Sequence, residues 1–202
     1  HLAIADAEGN NLFHDDDDPQ GLGLSTLGYQ FLSGILAHAR GLCALAAPTV
    51  NSYKRLVVGG SASGATWAPV YVTYGDNNRS AMVRVPYGRL EYRLPDSGSN
   101  PYLVTAGLIA AGLDGIEKGL TCGAPQNVNL YDYSATDCRE LGVDVLPQTL
   151  NEALDALEAD PLFREQLGAP LINEFIRMKR EEWIEFNRHV SQWEIDHYAE
   201  FF

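Results

Sequence analysis

Apolar positions along the chain fall into two periods. Leu27, Phe31, Leu32, Ile35, Leu36, Ala39, Leu42 and Cys43 recur at helical spacing, which predicts one helix from a Ser25 cap to about Ala46, stopped by Pro48. Residues 69–74, 80–86 and 89–94 read as strands, the last two forming a hairpin across Tyr87-Gly88. Asn100-Pro101 is a cap followed by a first-turn proline and opens a very apolar helix to about Lys118. Thr149 with Glu152 predicts a capping box for a short acidic helix, and Asp160-Pro161 starts another. From Pro170 to about Ala199, the spacing of Leu171, Phe175, Met178, Trp183, Phe186, Val190, Trp193 and Tyr198 predicts an amphipathic helix. Residues 1–24 read as loop, and the Gly/Ser-rich stretch 51–68 reads as a long loop of the kind that forms lids. The chain is mixed α and β.

Composition narrows the function classes. The 202 residues include 27 acidic and 14 basic side chains, a formal charge of −13, which argues against nucleic acid or an anionic membrane as the main partner. No apolar run reaches the roughly 18 residues of a membrane span. The chain starts at His1 with no leader, which suggests a fragment or a processed chain and a cytoplasmic protein. Cys43, Cys122 and Cys138 form no CxxC pair, so reduced thiols are expected rather than a zinc ribbon. Gly-rich phosphate loops of the GxGxxG and GxxxxGK[ST] types are absent. The run Asp15–Asp18 reads as a solvated turn.

The chemistry concentrates in the hairpin. Side chains of a strand alternate faces, so Arg89, Glu91 and Arg93 share one face at spacings of about 7 Å, and Leu90, Tyr92 and Leu94 share the other. One reading is an ion-pair ladder on a solvated face. Against it, Arg79 and Arg84 lie on or beside the neighbouring strand, and four arginines near one carboxylate call for an added anion. Arginine suits bidentate contact with carboxylates and phosphates, and a carboxylate can ligate a divalent metal. Together they are equipment for phosphoryl transfer or for an acidic substrate. Asn51-Ser52-Tyr53-Lys54-Arg55, just before the long loop, adds another guanidinium.

Several runs resemble the catalytic domain of glutamine synthetases: residues 47–56 (APTVNSYKRL), 78–81 (NRSA), 89–96 (RLEYRLPD), 100–103 (NPYL) and 111–115 (AGLDG). The resemblance extends over essentially the whole chain. Asn-Leu-Phe at 11–13, Gly-Leu-Gly-Leu-Ser at 21–25 and Gly-Ala-Thr-Trp-Ala-Pro at 64–69 look most like the γ-glutamylmethylamide synthetase and type III-like branch. The resemblance implies an α+β fold, an antiparallel sheet floor packed by helices. It also implies an ATP-dependent ligase joining glutamate to ammonia or a small alkylamine, methylamine favoured, through γ-glutamyl phosphate, with Mg²⁺ or Mn²⁺ and a large homo-oligomer of stacked rings. Carried over by position, Glu91 matches a metal-binding glutamate. Arg55 and Arg93 match arginines that hold glutamate, and Arg79, Arg84 and Arg89 match arginines around ATP and the transferring phosphoryl group. Arg79 and Glu91 are thus the expected catalytic pair, and His1 matches the second histidine of a His-x-His nucleotide contact.

Three departures stand out. Ala3 replaces a serine of that nucleotide contact. Residues 1–202 correspond to the C-terminal part of the catalytic domain, without the β-grasp domain and most metal-binding glutamates, so the isolated chain is expected to be inactive. Trp67 stands where ammonia-using members carry a glutamate, and is expected to line the amine site and lid. Tyr131 matches a tyrosine that some bacterial members nucleotidylate, but reads more simply as an unmodified loop residue. The alternative function is a glutamine-synthetase-like protein that has lost its chemistry and serves as a structural or binding module.

Overall fold

Ser25 caps the first helix by accepting from Gly28 N, as its position predicts. The computed structural model, which describes residues 1–59 and 69–201, divides the predicted 25–46 helix in two: α1 (Thr26–Ala37) and α2 (Ala39–Ala46), broken at His38. Asn100 caps α3 (Pro101–Glu117) by accepting from Tyr102 N and Leu103 N. Helices α1 and α3 cross through glycine. A Cβ on Gly34 would overlap the Ala111 carbonyl, and one on Gly115 would overlap the Gln30 carbonyl, so two backbones meet directly. Adding a methyl there must force the helices apart.

Four further helices continue the chain: α4 (Ala135–Glu140), α5 (Leu150–Ala159), α6 (Pro161–Leu167) and α7 (Ala169–Arg188). Thr149 caps α5, while Glu152 reaches back to Gln148 N at 2.9 Å, one residue before the expected partner. The expected C-terminal helix is also two. After α7 the chain breaks at His189, and Ser191 with Glu194 forms a capping box for α8 (Gln192–Tyr198).

The sheet has the order β3-β2-β1-β4. Its strands are β1 (Tyr71–Asp76), β2 (Ala81–Val85), β3 (Glu91–Tyr92) and β4 (Asp144–Val145). The β2–β3 hairpin turns at Tyr87-Gly88 as predicted, both residues at positive φ (48° and 68°). The expectation of an antiparallel sheet needs correction, because β1 and β2 run parallel, with Tyr71 beside Ala81 and Asp76 beside Val85. Parallel neighbours ordinarily need a crossover of about a dozen residues or more. Here residues 77–80 alone make the return, and the five Cα steps from Asp76 to Ala81 reach at most roughly 18 Å. A sharp reversal at Asn77, φ 49°, makes it possible. Asn78 Nδ2 ties the return to the Gln126 and Val128 carbonyls (2.7 and 2.9 Å), and the Ser80 hydroxyl accepts from Leu130 N at 3.1 Å.

One apolar cluster joins the core face of the sheet, through Val83, Leu90, Tyr92 and Leu94, to residues of α1, α2, α3, α5, α6 and α7. The N-terminal loop is pinned at both ends: Leu2 pairs with Leu90, and Asp18 accepts from Leu22 N, Leu24 N and the Tyr29 hydroxyl. Asp15–Asp17 are exposed, and Asp16 accepts from the Tyr87 hydroxyl at 3.2 Å, so the acidic run is a turn that Asp18 ties down most fully. All three cysteines are free, and burial pushes the Cys43 thiol up to about 12.

The break at His38 is held by charge. Its Nδ1 meets Asp160 Oδ2 at 2.6 Å and its Nε2 meets Asp114 Oδ2 at 3.0 Å, so one imidazole ties the α1–α2 junction to α3 and to the α6 cap. Burial alone would lower the His38 pKa; the hydrogen bonds to Asp160 and Asp114 outweigh it and hold it above the ordinary 6.5. For Asp114, burial opposes ionisation, but bonds from Lys118 and His38 prevail and hold it below 3.8. The stabilisation from His38 is therefore fully present below about pH 6.5 and fades as pH rises through the raised value. That from Asp114 is present above 3.8 and fades as pH falls through the lowered one. We predict that His38→Leu, which leaves Asp160 without the imidazole and Asp114 with Lys118 as its remaining cation, costs about 1–3 kcal/mol near pH 6. In melts of the protein between pH 6 and 9, the gap between wild type and variant should narrow as pH rises; a constant gap would refute a charged His38.

Candidate functional site

The charged face of the hairpin is assembled by register. Arg84 on β2 is the cross-strand partner of Glu91 on β3, and its Nη1 donates to Glu91 Oε2 at 2.8 Å. Arg93 follows two residues on, on the same face, with Nε 3.8 Å from Glu91 Oε1. The other end of the Arg93 guanidinium is held by main chain, donating to the carbonyls of Arg79 and, at 3.1 Å, Ala81. His1 arrives through the Leu2–Leu90 pairing, which places its Nε2 3.5 Å from Glu91 Oε2. A single carboxylate is thus ringed by two guanidiniums and an imidazole. Burial pulls the Arg93 pKa down, partly offset by Tyr131 and Glu91, yet guanidinium basicity keeps it charged.

The remaining sequence-selected residues surround this centre at different distances. Arg55 donates Nη2 to the Leu94 carbonyl at 2.5 Å, so it reaches the end of the same strand, beside Arg93. Its Nε is buried without a hydrogen-bond partner among the described residues. Arg79 contributes its carbonyl to Arg93 and leaves its own side chain exposed. Arg89 is exposed, with no ion pair among the described residues. Trp67 lies outside the described residues.

Sequence reasoning missed one participant, Asn77, and gave another, Tyr131, no role in the site. Asn77 accepts from Arg84 Nε at 2.5 Å, and Tyr131, brought in by the segment docked on Ser80, packs on Tyr71 with ring centroids 5.9 Å apart. Asn77 left one signal, a second asparagine beside Asn78 at the point where a strand had to end. Nothing in the sequence pattern tied Tyr131 to this face.

A divalent metal needs more donors than this face supplies. Magnesium takes about six oxygen ligands in octahedral geometry. Glu91 supplies a carboxylate and His1 an imidazole, and no group of three or more His, Cys, Asp or Glu able to hold a metal exists among the described residues. The residues present do not complete a metal site. No helix among the described residues is long and apolar enough to cross a membrane.

A strand face carrying Glu91 between arginines, apolar behind, on an α+β scaffold is the arrangement anticipated for one enzyme class. The chain belongs to the glutamine synthetase catalytic-domain family, whose profile, "Glutamine synthetase, catalytic domain", matches residues 1–198. Among individual proteins it is similar to the glutamate–methylamine ligase of Methyloversatilis universalis, 56% identical over 202 residues, covering 100% of this chain and 45% of that protein. The glutamine synthetase of Halobacterium salinarum is 42% identical over 207 residues, covering 100% of this chain and 44% of that one. A solved GmaS/ADP complex superposes with a TM-score of 0.84 at 44% identity, covering 96% of this chain and 44% of that chain. Apo GmaS gives 0.81 at 42% identity over 96% of this chain and 42% of its own. The chain spans less than half the length of these relatives. The branch read from the 11–13, 21–25 and 64–69 motifs is borne out.

Glu91→Gln keeps the shape but removes the anion from between two part-buried guanidiniums. We predict a loss of about 1–3 kcal/mol in denaturant melts of the complete protein. Combined with Arg84→Met, the loss should fall short of the sum of the single changes, since both remove one ion pair. Additive losses would show that Arg84 and Glu91 are not paired in solution.

Proposed function

We propose that residues 1–202 form the C-terminal part of the catalytic domain of an ATP-dependent ligase. The ligase joins glutamate to a small amine, methylamine in preference to ammonia. The observation that carries this reading is the ring of Arg84, Arg93 and His1 around Glu91, in a chain 56% identical along its whole length to a glutamate–methylamine ligase. In this reading the side-chain carboxylate of glutamate attacks the γ-phosphorus of ATP. The bond to ADP breaks, ADP leaves with the electron pair, and γ-glutamyl phosphate remains. The amine nitrogen then attacks the acyl carbon, the C–O bond to phosphate breaks, phosphate departs, and the amine loses a proton.

This chain's residues act by placing charge. Arg55 and Arg93 hold glutamate, because both reach the same end of β3 and a fixed guanidinium fork matches a carboxylate. Arg79, Arg84 and Arg89 neutralise the phosphates, and their preorganised charge lowers the cost of the phosphoryl transition state. His1 contacts the nucleotide. Glu91 would be one ligand of Mg²⁺ or Mn²⁺; the others are to be sought in the length of the relatives that this chain does not span. For that reason residues 1–202 alone are expected to be inactive. Stacked-ring assembly, with ATP and glutamate drawn from the cytoplasm, belongs to the same proposal.

Two measurements on the complete protein test it. Arg93→Lys keeps charge but loses the fork, so KM for glutamate should rise about 10-fold or more while KM for ATP stays put. Arg89→Lys should do the reverse. Equal effects on both substrates in both variants would refute the separate roles, and no ATP-dependent transfer by the wild type would leave the binding-module alternative.

The amine preference rests on Trp67. An indole face over a cation is worth roughly 0.5–2 kcal/mol, and burying one methyl adds about 0.8 kcal/mol. The indole attracts either cation, so it is the buried methyl that favours methylammonium over ammonium, by about 4-fold. The ratio of kcat/KM for methylamine to that for ammonia should exceed one and collapse in Trp67→Ala; a ratio that the mutation does not change removes Trp67 from the amine site.

A further inference from the structure

Arg84 is anchored on two edges of its guanidinium. Nη1 donates to Glu91 Oε2 at 2.8 Å and Nε donates to Asn77 Oδ1 at 2.5 Å. Nη2 has no hydrogen-bond partner among the described residues, so its donors are the ones left for a ligand. A flexible arginine pinned in this way loses its conformational freedom before the ligand arrives, which tightens binding.

The anchor is itself held at an unusual backbone position. Asn77 is one of two non-glycine residues with positive φ among the described residues, and its N–H donates to the Val85 carbonyl at 3.1 Å, directly after Arg84. Glycine is the residue that such a corner favours. Asparagine tolerates it and adds an acceptor, and that acceptor is occupied by Arg84.

We propose that Asn77 is a positioning residue that aims Arg84 at the phosphates of ATP. The proposal rests on the reading of Arg84 given above as a phosphate contact. Asn77 does two separable jobs, turning the chain and orienting the guanidinium, and substitutions can divide them. Asn77→Gly keeps or eases the turn and deletes the acceptor. Asn77→Asp retains both the acceptor and the tolerance for positive φ.

In the complete protein, Asn77→Gly should raise KM for ATP about 10-fold, with kcat changed less than about 2-fold and a melting temperature no lower than wild type. Asn77→Asp should restore KM for ATP to near wild type. Placed in the Arg84→Lys background, Asn77→Gly should add no further change, because its effect passes through Arg84. An unchanged KM for ATP in Asn77→Gly, where Arg84→Lys alone does raise it, overturns the positioning role and leaves Arg84 as a phosphate contact. So does a lowered melting temperature with kcat and KM worsened together, or an additive effect in the Arg84→Lys background. An unchanged KM in Arg84→Lys itself overturns the reading of Arg84, and this proposal with it.

Discussion

The four-residue return between two parallel strands is the constraint on which the rest of the site depends. Residues 77–80 must double back beside β1 with almost no slack, and that fixes what lies next to what. Gly75 comes beside Arg84, and the carbonyls of Arg79 and Ala81 are turned to receive the Arg93 guanidinium. Asn78 and Ser80, within the return, bind the 126–130 segment, which carries Tyr131 to Tyr71. A longer crossover would leave each of these groups free to choose other partners.

The charged face sets a local field against a global one. With a formal charge of −13 the chain repels anions at a distance, while Arg55, Arg79, Arg84, Arg89 and Arg93 lie on or beside one short hairpin. Electrostatics falls off over a Debye length of about 8 Å at physiological salt, so the arginines govern a ligand once it is within contact range. Such an arrangement favours discrimination on arrival over steering from afar.

How much of this could be read from the sequence follows from the physics of each part. Period-two alternation at 89–94 placed Arg89, Glu91 and Arg93 on one face, and the structure keeps Leu90, Tyr92 and Leu94 on the core side, because side-chain alternation is local geometry. The caps at Ser25, Asn100 and Thr149 were legible for the same reason. Strand direction was not. Asn77-Asn78-Arg79-Ser80 has the composition of any polar loop, and only its contacts with residues some fifty positions later make a parallel return viable. His38 sits in phase with the apolar face of one long helix, so the break emerged only with Asp114 and Asp160 brought in from afar. Helix α4 and strand β4 are six and two residues long, too short to show a period. The ring around Glu91 was visible, Arg84 and Arg93 by spacing and His1 by resemblance, but its supports, Asn77 behind Arg84 and the main-chain carbonyls behind Arg93, emerged by folding alone.

The glycine crossing of α1 and α3 bears on how the molecule can move. Where side chains separate two helices, a change of rotamer lets one slide over the other in small steps. Between Gly34, Ala111 and Gly115 no rotamer exists to change, since backbone touches backbone. The separation of these helices is therefore set by backbone dimensions, and any added side-chain carbon at the crossing must widen it. Only residues 93–100 separate β3 from α3, so the strand that carries Glu91 is tied by a short connection to this crossing. The strand face that carries the arginines and the helix pair beneath it are thus joined to one backbone-to-backbone contact, which no side-chain change can loosen.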